Sequence, residues 1–417
     1  MKSAIMRKLV EPVPIAVRLS GASRIVKQML NKDSKVYVAG HLGLVGTAIT
    51  EALKRKGYTN IIGRSFAELD LRRQEDTEAF FAAEKPDAVI LAAAKVGGIM
   101  ANNTLRAEFI YENLMIEANV IHAAYLYGVK KLVFLGSSCI YPRDCPQPMK
   151  EEHLLTSPLE YTNEPYAIAK IAGLKMCEAY NLRYGTDFIA VMPTNLYGPN
   201  DNFNLTGGHV MPSLMRRIHL GKLLGNGDMD GIRADLHRRP VDGCDGSGPE
   251  AEIVALLEKQ GIHCEKSQIA NPPAGGHGRK SASGRTQSQI SVSVWGTGRP
   301  LREFMYSGDM ADATVYVMEK ISFRDLVPAG ATEVRNTHIN IGTGEEITIK
   351  DLSLLLKETT GFGGELVFDT SKPDGTPRKF LDSSKLHSLG FKHATSLSEG
   401  AKKMYDWYVT DCKGNRQ

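Results

Sequence analysis

The sequence predicts an α/β protein, a doubly wound parallel sheet followed by a smaller C-terminal α/β domain. Three observations predict it. Short apolar runs recur along residues 35–200, helix-length stretches separate them, and a glycine-spaced turn joins the first run to the first helix. The 417 residues are 42% hydrophobic and 24% charged, which is globular usage with room for two or three domains.

The elements follow in order. Val36-Tyr37-Val38-Ala39 is an apolar run stopped by Gly40, as a buried parallel strand requires. A helical pattern then runs through Leu53 and stops at Gly57. Asn60-Ile61-Ile62 reads as the second strand, 72–84 as a helix and 88–93 as the third strand. A helix over about 105–127 ends at Gly128, and Leu132-Val133-Phe134-Leu135 is the fourth strand. Residues 164–184 are helical and 188–192 form the fifth strand. Beyond 200 the alternation loosens. A helix is expected at 209–220, strands at 291–295 and 338–341, and helices at 349–360 and 397–410.

These elements divide the chain into a nucleotide-binding domain at 35–200 and a substrate domain at 201–410. Residues 1–34 are basic and poor in acids, which suits a disordered extension or an organellar leader. Residues 223–292 carry the breaker clusters 242–249 and 272–276, and read as a largely irregular insert with one helix at 250–259. A surface loop, a regulatory segment and retained non-coding sequence are the open readings of that insert.

The chemistry begins at Gly40, Gly43 and Gly46. Spaced GxxGxxG between a strand and a helix, they let backbone amides approach a pyrophosphate, which makes the first domain Rossmann-type. The second strand runs into Gly63-Arg64-Ser65 rather than an acid. A cation there suits a 2′-phosphate, so the expected cofactor is NADPH with Arg64 on the phosphate; a solvated surface arginine is the alternative. Tyr166 and Lys170 lie one helical turn apart, with Ser137 at the end of the fourth strand. A phenol titrates near ~10 in water and gains acid-base use from a neighbouring ammonium.

Several stretches carry a resemblance: 91–99, 101–104, 134–142, 163–170, 192–199, 302–304 and 372–379, among them Gly136-Ser137-Ser138-Cys139-Ile140-Tyr141-Pro142 and Lys372-Pro373-Asp374-Gly375-Thr376-Pro377-Arg378-Lys379. The chain resembles the extended short-chain dehydrogenases/reductases that act on nucleotide sugars. Within them it is similar to the GDP-L-fucose synthases, the 3,5-epimerase-4-reductases of GDP-4-keto-6-deoxy-D-mannose. The leader and the insert depart from the pattern, and Leu42 stands where some members carry a basic residue.

The resemblance implies a fold, a reaction and residues. Cys139 and His209 would be the epimerase acid-base pair; a thiol near ~8.5 and an imidazole near ~6.5 bracket neutral pH. Ser137, Tyr166 and Lys170 would serve reduction at C4, with Lys170 also on the nicotinamide ribose. Ala93 and Asn195 join the glycines and Arg64 on the cofactor side. Arg217, Arg302, Trp295 and Lys372 fall to the GDP-sugar, an arginine fork suiting phosphate oxygens; a packed aromatic is the alternative for Trp295. No metal is implied.

Other readings are a 4-epimerase or 4,6-dehydratase on another nucleotide sugar, or a catalytically impaired NADP-binding homologue. Dehydratases of this family carry an Asp-Glu pair after the active-site hydroxyl, where this chain has Ser138-Cys139. A net charge of +4 gives no case for nucleic acid or a membrane surface. Six scattered cysteines and no long apolar run suit a reducing, cytoplasmic setting. A homodimer is implied by the resemblance.

Overall fold

The computed structural model describes residues 30–265 and 289–410. Six parallel strands build the main sheet: β1 (Val36–Ala39), β2 (Ile61–Ile62), β3 (Ala88–Leu91), β4 (Lys131–Leu135), β5 (Phe188–Pro193) and β6 (Ile339–Ile341). Their order is β6–β5–β4–β3–β1–β2. Every residue of β1, β3, β4 and β5 is buried, because helices cover both faces.

Those helices are α1 (Leu44–Arg55), α2 (Gln74–Glu84), α3 (Arg106–Leu126) and α4 (Glu164–Tyr184), with α5 (Val210–Gly225) opening the second unit and α6 (Ser307–Lys320) returning to the sheet. Strand periodicity sorts the core. Tyr37 and Ala39 pack with Val120, Ile121, Ile171 and Leu174 of α3 and α4. Val36 and Val38 pack with Ile49 and Leu53 of α1 and with Met310 and Val317 of α6. The strand order reverses between β1 and β3, so a crevice opens beyond the carboxyl ends of these two strands.

The second unit holds three small sheets. Asn195–Tyr197 pairs with Phe304–Tyr306; Leu301–Arg302 lies between Ile347–Thr348 and Arg378–Lys379; Gln289–Trp295 lies between Glu365–Asp369 and Ile262–Glu265. Glu303, fully buried, ties them to the first unit. Its carboxylate accepts from the backbone amides of Thr343 at 2.7 Å, Gly344 at 2.9 Å and Leu381 at 3.2 Å.

Two sequence expectations change here. The insert expected as irregular over 223–292 is largely regular where described. Helices Met229–Arg238 and Glu250–Lys259 and strand Ile262–Glu265 bury Ile232, Leu236, Ile253, Leu257 and Ile262 in the second core. The apolar pairs are spaced i,i+4, and Gly243 and Gly246, with positive φ, mark the connection between the two helices. Residues 266–288 lie outside the described residues. So do 1–29 of the expected extension, but 30–34 form a turn in which Ser34 Oγ receives the Asn31 amide at 3.0 Å. Helix α6 was not foreseen at all.

Candidate active site

The glycine turn sits at the mouth of the crevice. Gly40 has φ +82°, and a Cβ there would stand 2.7 Å from the Ala93 amide nitrogen. A Cβ on Gly46 would stand 2.0 Å from the Gly40 carbonyl oxygen. Both glycines are therefore fixed by close backbone contact, and Ala93 floors the turn. Around Gly43 the nearest atom to such a Cβ is 3.6 Å away, so the space beside it is open. Gly43 caps α1, whose first turn carries no acid and no side-chain cap. Helix-end amides with neither fit a pyrophosphate.

Arg64 follows β2 beside this turn, since Gly63 packs against the His41 ring. Its guanidinium donates to Glu84 at 2.6 Å and to the Gly63 carbonyl at 2.8 Å. It is half-buried and partnered, not a freely solvated side chain.

Ser137, Cys139, Tyr166 and Lys170 come together at the end of β4. Ser137 caps a short 3-10 turn and its Oγ accepts the Cys139 amide at 3.2 Å. Pro165 starts α4, where its missing N–H costs nothing, and delivers Tyr166 in the first turn. The Tyr166 phenol is raised above its ordinary value by burial first, then by the charges of Cys139 and Glu117, with a Ser137 hydrogen bond opposing. The sequence reading had Lys170 lower that phenol. Instead Lys170, 2% exposed, pairs with Glu117 at 3.0 Å and donates to the Leu135 carbonyl at 3.1 Å. Its Nζ stands 5.7 Å from the Tyr166 ring centre. Burial outweighs the one opposing influence, the Ser137 hydrogen bond.

Cys139 is a free thiol whose sulfur receives Lys379 Nζ at 3.4 Å. His209 precedes α5 as its N-cap, with Nδ1 3.7 Å from the buried carboxylate of Asp201. The Asp201 carboxylate beside it raises the imidazole above its ordinary value, against partial desolvation. The His209 loop reaches the Tyr166 wall through one line of contacts. A Cβ on Gly98 would lie 3.3 Å from the Gly207 carbonyl, one on Gly97 3.2 Å from Phe109, and Phe109 packs edge-on to Tyr166 at 6.3 Å. Asn195 donates to the Glu303 carbonyl at 2.8 Å.

The substrate-side residues fall along residues 372–379. Lys372 Nζ lies 5.8 Å over the Trp295 ring, which is 61% exposed and so not a core aromatic. The Arg302 guanidinium donates to the Thr376 carbonyl at 2.6 Å. Lys379 then reaches Cys139. Arg217 donates to the Leu205 carbonyl at 2.6 Å; its buried Nε has no hydrogen-bond partner, and burial lowers the arginine below its ordinary value. Its neighbour Arg216 is fully buried against Asp235, with Nε to Oδ1 at 2.9 Å. Of the two adjacent cations, Arg217 is the one suited to an anionic ligand.

Sequence reasoning missed Asp201, Glu117 and the role of Lys379. The last stood inside a quoted motif; the other two are single acids on a loop and a helix, with no local signal.

Comparison with known proteins agrees with this geometry. Residues 36–236 and 278–342 match the NAD dependent epimerase/dehydratase family. The chain is 47% identical over 389 residues to a putative GDP-L-fucose synthase 2 of Arabidopsis thaliana, covering 93% of this chain and 96% of the relative. It is 43% identical over 375 residues to GDP-L-fucose synthase of Escherichia coli (90% and 96%). A GDP-D-glycero-L-gluco-heptose synthase from Campylobacter jejuni, solved in the presence of NADPH, superposes with a TM-score of 0.79 at 41% identity, over 91% of this chain and all of that one. The chain belongs to the NAD dependent epimerase/dehydratase family, in the branch that holds the GDP-L-fucose synthases.

Proposed function

We propose that this chain converts GDP-4-keto-6-deoxy-D-mannose to GDP-L-fucose by epimerisation at C3 and C5 and NADPH-dependent reduction at C4. The observation that carries this reading is the 372–379 segment, whose residues contact in turn an exposed aromatic, an arginine and the Cys139 sulfur. A nucleoside diphosphate sugar presents a base, a diphosphate and a ring in that order.

The residues divide the work. Trp295 offers a stacking face for the base. Arg217 and Arg302 face the diphosphate, and Lys372 adds charge. The C4 ketone acidifies the hydrogens on C3 and C5. Cys139, with the Lys379 ammonium against its sulfur, removes a proton. His209, whose imidazole Asp201 raises above its ordinary value, returns one on the opposite face. Ser137 and Tyr166 hold the C4 oxygen, and Tyr166 supplies its proton on reduction. Gly40, Gly43, Gly46, Ala93, Arg64, Lys170 and Asn195 are the residues that would hold NADPH, which when bound supplies hydride to C4.

The partner we propose besides the GDP-sugar is a second copy of the chain. Tyr111 and Leu126 of α3 and Tyr184 of α4 are exposed at 62%, 49% and 49%, and Tyr125 and Tyr184 stack at 4.1 Å on the same helix pair. Such an apolar face suits a homodimer. Among the described residues no helix is long and apolar enough to cross a membrane. The five described cysteines are free thiols, which supports a reducing compartment such as the cytoplasm.

The test is incubation of the purified chain with NADPH and the GDP-keto-sugar, following NADPH absorbance and identifying the sugar by NMR. GDP-L-fucose formation supports the reading. NADPH consumption with the C3 and C5 configurations retained would make the chain a simple 4-reductase.

A further inference from the structure

We propose that Glu117 is a positioning residue for the reduction step, acting on Lys170 from behind the site. This rests on the reading that Tyr166 and Lys170 serve reduction at C4. Glu117 on α3 and Lys170 on α4 are 1% and 2% exposed, with Oε1 and Nζ 3.0 Å apart. Neither the glycine turn nor the 372–379 segment touches this carboxylate. Its reach is confined to the α3–α4 seam, one side chain away from the phenol.

Three features make the pair a built one. The Lys170 ammonium is fixed from two sides, by Glu117 and by the carbonyl of Leu135 at the end of β4. It also lies 4.8 Å over the Phe134 ring. A buried ammonium is costly without a countercharge, and the Glu117 carboxylate supplies it. The third feature is Gly173, in the middle of α4. Glycine there is unfavourable for a helix relative to alanine. A Cβ at 173 would stand 2.7 Å from Glu117 Oε2 and 2.6 Å from Phe134. The glycine makes room for the carboxylate. Burial raises the Glu117 carboxyl above its ordinary value, and Lys170 is the chief opposing influence.

The consequence is a division between the two chemical steps. Cys139 and His209 work with Lys379 and Asp201, none of which touches Glu117. Tyr166 holds the C4 oxygen in both steps, whereas Lys170 serves reduction alone, so loss of the Glu117 charge slows reduction more than proton exchange at C3 and C5.

Four variants test this: Glu117→Gln, Lys170→Met, the double variant, and Tyr166→Phe as control. Each is assayed for NADPH oxidation with the GDP-keto-sugar, and for deuterium uptake at C3 and C5 with NADP+. Glu117→Gln should lower turnover about tenfold or more, the cost of a slightly misplaced group, with exchange lowered much less and the KM for the sugar nucleotide close to wild type. The double variant, neutral in the core, should be no slower than Lys170→Met. Wild-type turnover in Glu117→Gln, parallel loss of both steps, or a double variant slower than Lys170→Met would each overturn the proposal. If Glu117→Gln does not fold, the double variant against Lys170→Met decides it. If Tyr166→Phe still reduces normally, the underlying reading of the site fails instead.

Discussion

Lys379 Nζ stands 3.4 Å from the sulfur of Cys139, across 240 positions of sequence and from the opposite unit of the molecule. The short strand Arg378–Lys379 pairs with Leu301–Arg302 and so carries this lysine and Arg302 together. In the proposed reaction, the segment proposed to frame the diphosphate would thereby also supply the cation beside the epimerising thiol. Lys379→Met should slow both exchange at C3 and C5 and alkylation of Cys139 by iodoacetamide. Lys379→Arg, which keeps the charge, should retain part of both. Unchanged alkylation in Lys379→Met would show that the contact does not act on the sulfur.

The Asp201 carboxylate raises the His209 imidazole, so the protonated acid persists to higher pH than in a free histidine. The acid form is full below the ordinary histidine value and is lost as pH rises through the raised one. In Asp201→Asn the alkaline limb of C3 and C5 exchange should therefore move to lower pH. A pH profile of exchange for the two proteins reads this directly; coincident limbs would exclude the pairing.

Arg217 is a desolvated cation without a carboxylate among the causes of its shift. Arg217→Met should raise the KM for the GDP-sugar about tenfold or more while leaving kcat nearly unchanged, the pattern of lost uniform binding. A fall in kcat alone would place Arg217 at the reacting ring.

The insert contributes a buried charge. Asp235 accepts Arg216 Nε at 2.9 Å and receives the Tyr408 hydroxyl, and Arg216 donates to the Phe203 carbonyl at 3.2 Å, on the loop between Asp201 and His209. Asp235→Ala leaves Arg216 buried without its partner, at a cost of about 3–5 kcal/mol. Urea unfolding should show a correspondingly lower midpoint. Deletion of 229–288 removes the same carboxylate and should prevent folding; a stable, active deletion would return the segment to a dispensable loop.

What the sequence made legible was local. The Gly40, Gly43, Gly46 turn, the Tyr166–Lys170 turn and Ser137 at a strand end each sit within a single strand–helix step, so spacing alone exposes them. Val36-Tyr37-Val38-Ala39 and the other all-apolar runs announced a sheet covered on both faces. Lys379, Asp201 and Glu117 were not legible as site residues, because each acts through a contact between distant elements. The helix of Ile232 and Leu236 was obscured by the dense glycine around it, while the 250–259 helix was legible but not the burial of its Ile253 and Leu257. Their burial comes from packing on α5 and on Gln289–Trp295, which periodicity over ten residues does not reveal. The effect of Lys170 on Tyr166 was misjudged for the same reason, since the Glu117 countercharge belongs to another helix.

The central claim is that Cys139 and His209 move protons at the two carbons beside a ketone that Tyr166 then helps reduce. Deuterium uptake at C3 and C5 of the GDP-keto-sugar, measured in heavy water with NADP+ for wild type and Cys139→Ser, tests it most directly. The account expects both carbons labelled by wild type and neither by Cys139→Ser, with NADPH binding intact in both. Labelling of both carbons by Cys139→Ser at the wild-type rate would contradict it.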